Sequence, residues 1–183
     1  MASAPRSWLS RPVTIRSARQ DELEVLRTLE SAAGVLFRGI GMTDIAEHPP
    51  PPLQLFEQAR QAGRLWVSVD ADDHPTGFVL VTLVDGAAHI EQISVHPDHQ
   101  GQGLGRRMIG HVDAWAAEQG LPALTLSTFR SVPWNGPYYA RLGFQELSPQ
   151  ELTSGLSDLL AAETAFGLDP AQRIFMRRPV AGQ

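Results

Sequence analysis

The stretch from Gln100 to Gly105, QGQGLG, constrains the fold of this chain more than any other. Its three glycines stand at alternate positions between residues 88–95, which are typical of a strand, and residues 104–119, which are typical of an amphipathic helix. Such a turn directs backbone N–H groups, unhindered by Cβ atoms, at one place beside the positive end of the helix. That place suits a phosphate group, although a tight turn without any ligand would use the same residues.

The spacing of these glycines separates the chain from two common phosphate-binding turns. A dinucleotide-binding turn has the pattern GxGxxG, and with Gly101 and Gly103 as its first pair the third position here is Arg106. A P-loop needs a lysine, whereas all 15 basic residues of this chain are arginines. The pattern that remains is QxxGxG, formed by Gln100, Gly103 and Gly105.

Composition excludes several classes of chemistry. Cysteine is absent, which removes disulfides, thiolate metal sites and a cysteine nucleophile. The lack of lysine also removes a Schiff-base lysine. A net charge of −5 disfavours broad nucleic-acid binding. The histidines His96 and His99 have no third ligand at a fixed spacing, so we expect no metal site.

Length and hydropathy predict a soluble protein with one domain. The 183 residues suit a single domain, which we place at residues 13–183 after a flexible leader at residues 1–12. Hydrophobic residues make up 43% of the chain, yet no apolar run approaches the roughly 18 residues of a membrane helix. We find no secretory signal and expect a cytoplasmic protein without a membrane partner.

The order of predicted elements indicates a mixed α/β fold. Strands are predicted at residues 13–16, 64–70, 77–84, 88–95, 123–129, 144–147 and 173–178, and helices at residues 21–33, 53–62, 104–119, 137–142 and 150–165. The turns after residues 70 and 84 are short enough for antiparallel hairpins. Residues 37–52 contain glycines and four consecutive prolines, so we expect no regular element there.

Two motifs of this chain resemble the GNAT N-acetyltransferase superfamily. The family pattern [RQ]xxGx[GA], after a strand that ends roughly LxVxP and before an amphipathic helix, matches ISVHPDHQGQGLGRRMIGHV at residues 93–112. A second family feature, a tyrosine separated by three residues from a Gly-Phe pair, matches YARLGF at residues 139–144, and Asn135 precedes it. The resemblance covers about residues 13–147.

The resemblance implies both a fold and a cosubstrate. It implies a mostly antiparallel sheet flanked by helices, in which strands 88–95 and 123–129 splay apart to admit acetyl-CoA. Backbone amides of the glycine-rich turn would then surround the pyrophosphate, and the pantetheine arm would run along the preceding strand as an added strand does. The cofactor-binding residues so implied are Ile93, Ser94, Val95, Gln100, Gly101, Gln102, Gly103, Leu104, Gly105, Arg106 and Asn135.

Acetyl transfer to an amine needs a base for the ammonium proton and gains from an acid beside the departing thiolate. Tyr139 matches the family tyrosine that is placed beside the sulfur. Period-two alternation puts His89, Glu91, Ile93 and Val95 on one face of their strand. We take Glu91 as the base and His89 as its competitor, because the ordinary histidine pKa of ~6.5 suits proton transfer. Structural roles for both stay open.

The sequence thus predicts an acyl-CoA-dependent N-acetyltransferase. Its acceptor is expected to be the primary amine of a small molecule, which attacks the thioester directly, because residues 37–52 are placed to cover the site. Two alternatives are an acetyltransferase for proteins or peptides and a sensor module that binds acetyl-CoA without turnover. The chain leaves a homodimer open as its oligomeric state.

Overall fold

The computed structural model describes residues 13–182, and these residues form one seven-stranded sheet. The predicted leader at residues 1–12 lies outside the described residues. All neighbouring strands are antiparallel except β4 and β5, which are parallel, so the predicted mixed and mostly antiparallel sheet is confirmed. In spatial order the strands are β1 (Thr14–Ser17), β2 (Leu65–Val69), β3 (Pro75–Val84), β4 (Ala87–Val95), β5 (Ala123–Phe129), β7 (Arg173–Pro179) and β6 (Gln145–Glu146).

Helices cover both faces of the sheet. The described helices are α1 (Leu23–Gly34), α2 (Thr43–Ala46), α3 (Leu53–Gln61), α4 (Leu104–Glu118), α5 (Gly136–Arg141) and α6 (Ser154–Ala165). Strand β3 shows why two layers form, because Phe78 and Leu80 pack against α1 and α3 whereas Val79 and Val81 pack against α4. A strand buried on both faces is apolar at every position, and β3 fits that description over residues 77–81.

The long helix α4 forms where the sequence predicts it. Leu104, Met108, Val112 and Ala116 recur every four residues and are at most 4% exposed, so one stripe of the helix lies on the sheet. Burial of each large side chain in such a stripe contributes about 1.5–3 kcal/mol. Gly120, with φ of 69°, ends the helix in the left-handed region.

Strands β4 and β5 separate after three residue pairs. Ala88 pairs with Leu124, His89 with Thr125 and Ile90 with Leu126, and no pairing between the two strands follows in the described chain. Strand β4 continues to Val95 while paired only with β3. The splayed strands that the family resemblance implies are therefore present, and they open the sheet at its centre.

A β-bulge in β4 changes which side chains face which layer. Leu80 pairs with Gln92 but Val81 pairs with Ile90, so Glu91 is an extra residue on its strand. Strict alternation fails there. Ile93 and Val95 pack with the α4 layer, whereas Glu91 points toward Thr82 on the opposite face. The prediction that Glu91, Ile93 and Val95 share one face is therefore wrong, because it assumed an unbroken period of two.

The segment before α3 contains more regular structure than predicted. A 3₁₀ helix runs over Val35–Ile40, and α2 follows as one short turn at Thr43–Ala46. Gly41, with φ of 78°, ends the first and allows the chain to enter the second. Prolines 49–52 then prevent further helix, so the expected irregular segment is confined to residues 47–52. None of the helices in the described part of the chain is long and apolar enough to cross a membrane.

Candidate active site

The gap between β4 and β5 opens into a cleft of about 1210 Å³. Its floor is formed by β4 and β5. Its walls come from α1, from residues 36–52 (called the α2 segment), from the turn before α4 and from the region of α5. The lining residues divide into a half beside the glycine-rich turn and a half beside the segment before α3. The half beside the glycine-rich turn matches the predicted cosubstrate site. The other half is called the acceptor half, and it is lined by α1, the α2 segment, the end of β5 and the residues after α6.

Two different structural features account for the glycines of the turn. Gly101 and Gly103 have φ of 73° and 74°, in the left-handed region that other residues rarely adopt. A Cβ atom on either would meet nothing within 4 Å, so the space in front of the turn is open. At Gly105 a Cβ atom would lie 3.0 Å from the Tyr138 hydroxyl, so a larger residue here would have to displace the end of that side chain by a few tenths of an ångström.

The turn presents unpaired amide groups. The first backbone hydrogen bond of α4 runs from the Arg107 N–H to the Gly103 carbonyl at 3.1 Å, and within the described chain no backbone carbonyl accepts from the amides of residues 101–106. Buried Leu104 holds the start of the helix against the core. These free N–H groups stand at the positive end of a fifteen-residue helix, an arrangement that attracts anions.

Most residues predicted to bind the cosubstrate line the cleft. Those that do are Ile93, Ser94, Val95, Gln100, Gly101, Gly103, Leu104, Gly105 and Asn135. Gln102 and Arg106 do not, and Arg106 lies beside Asp113 and Arg141 in a separate depression of about 500 Å³. Asn135 occupies the position before α5, yet its side chain donates to the Trp134 carbonyl at 3.1 Å and does not cap the helix.

Tyr139 reaches the cleft from α5. Its ring packs against Phe144 at a centroid distance of 5.9 Å, and the residue is 8% exposed. Its hydroxyl makes no hydrogen bond to any described residue. Burial raises the pKa of the Tyr139 phenol, with a smaller opposing effect from Arg173, so the hydroxyl keeps its proton at neutral pH. A protonated phenol without a partner is a hydrogen-bond donor directed at the cleft.

The two candidate bases lie in different surroundings. Glu91 lines the cleft, and its carboxylate accepts from the Thr82 hydroxyl at 3.4 Å. Burial raises the pKa of Glu91, and the negative charge of Glu163 adds to the rise. His89 is 3% exposed and lies outside the cleft lining, with its Nδ1 atom 2.9 Å from the Thr125 hydroxyl. Burial lowers the pKa of His89 to about 4, so it is neutral at pH 7.

Sequence reasoning missed a second carboxyl group in the cleft. Glu30 projects from α1 and accepts hydrogen bonds from Gln92 Nε2 at 2.6 Å and from the Ser94 hydroxyl. Burial raises the pKa of Glu30, and these two hydrogen bonds oppose the rise. The signal was in the sequence, because Glu30 interrupts the apolar stripe that Leu26 and Leu29 form on α1. The β4 bulge, which turns Gln92 and Ser94 toward α1, supplies its partners.

Helix α6 is joined to the sheet by an ion pair beside the acceptor half. Arg173 donates to Glu163 Oε1 at 2.9 Å and Oε2 at 3.0 Å, and both residues hydrogen-bond the Ser127 hydroxyl. The Arg173 guanidinium also lies 4.6 Å from the centroid of Phe129. This pairing fixes the end of α6, from which Phe166 and Leu168 extend to line the cleft.

Aromatic side chains surround the acceptor half. Phe37 lies 5.6 Å from Phe129 and 5.7 Å from Trp134, measured between ring centroids, and both contacts are tilted or edge-on. His48 and Phe166 meet at 5.0 Å and join the α2 segment to the chain after α6. The cleft thus combines an anion-binding turn, a neutral phenol, two half-buried carboxyl groups and an aromatic wall. Such a set can bind a phosphorylated ligand and move protons beside it.

Comparison with known proteins agrees with this geometry. The family model described as "Acetyltransferase (GNAT) family" matches residues 28–144. The peptidyl-lysine N-acetyltransferase YjaB of Escherichia coli is 28% identical over 143 residues, which cover 76% of this chain and 87% of that protein. YjaB of Salmonella typhimurium is 30% identical over 88 residues, covering 48% of this chain, and the match spans about half of that relative, 54%.

A solved structure shares the fold. The PaiA N-acetyltransferase of Thermoplasma acidophilum, in complex with coenzyme A, superposes with a TM-score of 0.66 at 15% identity, over 92% of this chain and 99% of that one. The family match includes the glycine-rich turn, both splayed strands and the Tyr139 motif. The chain therefore belongs to the GNAT acetyltransferase family and is an acyl-CoA-dependent transferase.

Proposed function

We propose that this protein transfers the acetyl group of acetyl-CoA to the primary amine of a small molecule. The observation that supports this most is the continuity of one cleft, in which free amides of the turn, the unpaired edge of β4, Tyr139 and Glu91 follow one another. An anion site at one end of the cleft and proton-transfer groups further along it suit a phosphorylated thioester and an amine.

The residues present fit acetyl-CoA. The space in front of Gly101 and Gly103 is free of side chains, and the amides of residues 101–106 are free to donate to a pyrophosphate. Beyond Ile90 the main chain of β4 has no partner on its β5 side in the described chain, so it can pair with the amide groups of a pantetheine arm. The likeness to PaiA, which was solved with coenzyme A, supports the same assignment.

Acetyl-CoA supplies an acetyl group activated as a thioester. Glu91 accepts a proton from the acceptor, because an alkylammonium with a pKa of ~10.4 must lose a proton before its nitrogen can attack. As the new C–N bond forms and the C–S bond breaks, Tyr139 donates a hydrogen bond to the departing sulfur, a thiolate with a pKa of ~8.5 that takes up the second proton lost by the acylated nitrogen. Burial raises the pKa of Glu91 above its ordinary value, which makes its carboxylate a stronger base for this proton transfer.

The acceptor could also be a lysine of a peptide, because both matched YjaB proteins are named peptidyl-lysine N-acetyltransferases. The structure favours a small molecule on one specific ground. The contact between His48 and Phe166 joins two segments that line the acceptor half of the cleft, and it narrows the approach that a peptide chain would need. A cytoplasmic location, a homodimer and a single domain over residues 13–183 stay predictions.

The test follows release of the coenzyme A thiol when the full chain meets acetyl-CoA and either small primary amines or a lysine-containing peptide. The proposal expects turnover with small amines and at least about tenfold lower kcat/KM with the peptide. Turnover of the peptide alone would support the alternative acceptor. Binding of coenzyme A in calorimetry without turnover of any amine would indicate a sensor module.

A further inference from the structure

We propose, on the basis of the proposed function, that the acceptor is a primary amine with an aromatic group and without a carboxylate. Three features of the acceptor half of the cleft support this inference: the aromatic side chains of its walls, the charges of its lining residues and the contact between the two segments that close it. All three features point to a cationic amine joined by a short chain to a flat apolar body.

The first argument is the aromatic surface that the acceptor half exposes. Trp134 is 36% exposed and Phe166 is 59% exposed, although both line the cleft. Phe37 contacts both Phe129 and Trp134 edge-on or tilted, so these rings form one continuous wall. A flat ring that enters beside this wall gains tilted or offset contacts of the kind that aromatic pairs prefer. Open aromatic surface of this kind marks a binding site more often than a free surface.

The second argument is charge. Glu91 and Glu30 both line the cleft, and both lose water through burial, so a cation placed near them is favoured. Among the described residues that line the cleft, only Arg27 and Arg173 have permanent positive charges, and both are already engaged. Arg173 forms a two-fold hydrogen-bonded pair with Glu163. Arg27 donates to the Pro51 carbonyl at 3.1 Å and to Glu24 at 3.0 Å.

A carboxylate on the acceptor would therefore enter without a counter-ion. It would meet the negative charge of Glu91 in a partly dry site, and an unpaired charge in such a place is strongly disfavoured. Amino acids are thus poor acceptors, whereas the corresponding amines without the carboxylate fit. A peptide acceptor is disfavoured for a related reason, because its backbone N–H and C=O groups would need hydrogen-bond partners along the aromatic wall.

The third argument is the closure of the site. The α2 segment and the residues after α6 meet at His48 and Phe166, and the Glu163–Arg173 pair fixes the second of these segments. The cleft of about 1210 Å³ must hold the pyrophosphate, the pantetheine arm and the acyl end of the cosubstrate as well as the acceptor. Because the cosubstrate takes a share of a space not far above the range of ordinary ligand pockets, roughly 300–1,000 Å³, a small acceptor suits the rest better than a long one.

The test compares four acceptors that differ by one feature each, with acetyl-CoA constant and thiol release as the readout. 2-Phenylethylamine is expected to exceed L-phenylalanine at least about 100-fold in kcat/KM, because the acid brings an unpaired carboxylate. L-Phenylalanine amide has nearly the shape of the acid without its charge, and is expected within about tenfold of 2-phenylethylamine. n-Butylamine lacks the ring and is expected about tenfold below 2-phenylethylamine.

A pair of variants tests whether the preference for an aromatic amine depends on the aromatic wall. Phe37→Ala is expected to lower kcat/KM for 2-phenylethylamine by about 2- to 10-fold, because it removes the binding free energy of about one aromatic contact. The kcat/KM for n-butylamine, which has no ring, is expected to change little. Val25→Ala removes a side chain that is 48% exposed and lies outside the cleft, and is expected to change neither substrate. Because the measured quantity is a ratio between substrates, general loss of folded protein does not alter it.

Other results of the acceptor comparison would overturn specific parts of the inference. Equal rates for L-phenylalanine and 2-phenylethylamine, or an amide as poor as the acid, would overturn the exclusion of carboxylates. A preference for n-butylamine, or for a lysine peptide, would overturn the aromatic assignment. In these cases amine acetylation itself is still observed. If no amine is acetylated while coenzyme A binds, the proposed function fails, and this inference fails with it.

Discussion

Replacing Tyr139 with phenylalanine separates a catalytic role from a structural one. The Tyr139 hydroxyl makes no hydrogen bond to a described residue, so its removal leaves no partner unsatisfied. The ring contacts with Tyr138 at 5.3 Å and Phe144 at 5.9 Å are retained in the variant. We therefore expect the free energy of unfolding to change by no more than about 0.5 kcal/mol, the ordinary limit for a substitution without a damaging mechanism.

The expected loss of activity is much larger. If the hydroxyl donates to the developing thiolate, the hydrogen bond is charge-assisted and contributes about 1.5–3 kcal/mol. At ~1.36 kcal/mol for each factor of ten, kcat of Tyr139→Phe falls roughly 10- to 150-fold. The KM for acetyl-CoA changes little, since the bond strengthens as negative charge develops on the sulfur and contributes less to the bound thioester.

The assay combines thiol release at saturating acetyl-CoA with thermal unfolding of the same samples. Ser157→Ala is the matched control, because it also deletes one hydroxyl, which bonds the Thr153 carbonyl at 2.9 Å on the exposed side of α6. Its kcat is expected to be unchanged. A kcat within twofold of the original for Tyr139→Phe would refute the acid role. A fall in Tm of more than about 5 °C would show that the hydroxyl supports the fold instead.

Three further predictions concern other residues. Glu91→Gln is expected to lower kcat about 10²- to 10⁴-fold. With Glu91 present, kcat/KM should fall as pH drops through a pKa raised above the ordinary 4.5, and persistence of that acid limb in the variant would exclude Glu91 as the base. His89 has a pKa of about 4 when folded against 6.5 when unfolded, so the unfolded chain binds more protons between these values. The free energy of unfolding should thus fall by up to about 1.4 kcal/mol per pH unit as pH is lowered from 6.5 to 4 in urea titrations, with a shallower slope for His89→Gln. An equal slope would contradict the lowered pKa. Gly101→Ala, at φ of 73°, should cost about 1 kcal/mol in stability, whereas Gly110→Ala in α4 should be stabilising by up to about 1 kcal/mol. Changes of the same sign would show that backbone conformation does not decide the outcome at Gly101.

The elements that sequence reasoning placed well are those set by local chemistry. Helix α4 follows from its apolar spacing and from Gly120, and the turn before it follows from glycines that adopt positive φ. The hairpin between β3 and β4 follows from a two-residue turn at Asp85 and Gly86, which both have positive φ. In each case the residues that determine the structure are neighbours in the chain.

The features that sequence reasoning missed depend on contacts between distant segments. The bulge at Glu91 is defined only by pairing with β3, and the residues of β4 alone do not indicate an extra residue. The partners of Glu30 lie 62 and 64 positions further along the chain, at Gln92 and Ser94. Tyr139 was found because a family motif marks it, and Glu91 because it is a carboxylate in an apolar strand, although their roles in the reaction stay predictions.

The extra residue at Glu91 makes the length of β4 as important as its composition. A one-residue deletion there would make Ile90 and Gln92 neighbours opposite Val81 and Leu80 and would restore regular alternation, while Gln92 still faced Glu30 on α1. Point substitutions at the same position leave that orientation intact. The extra residue therefore decides how many side chains reach the cleft, because the consecutive residues Glu91 and Gln92 both face α1, which a strand of regular alternation does not allow.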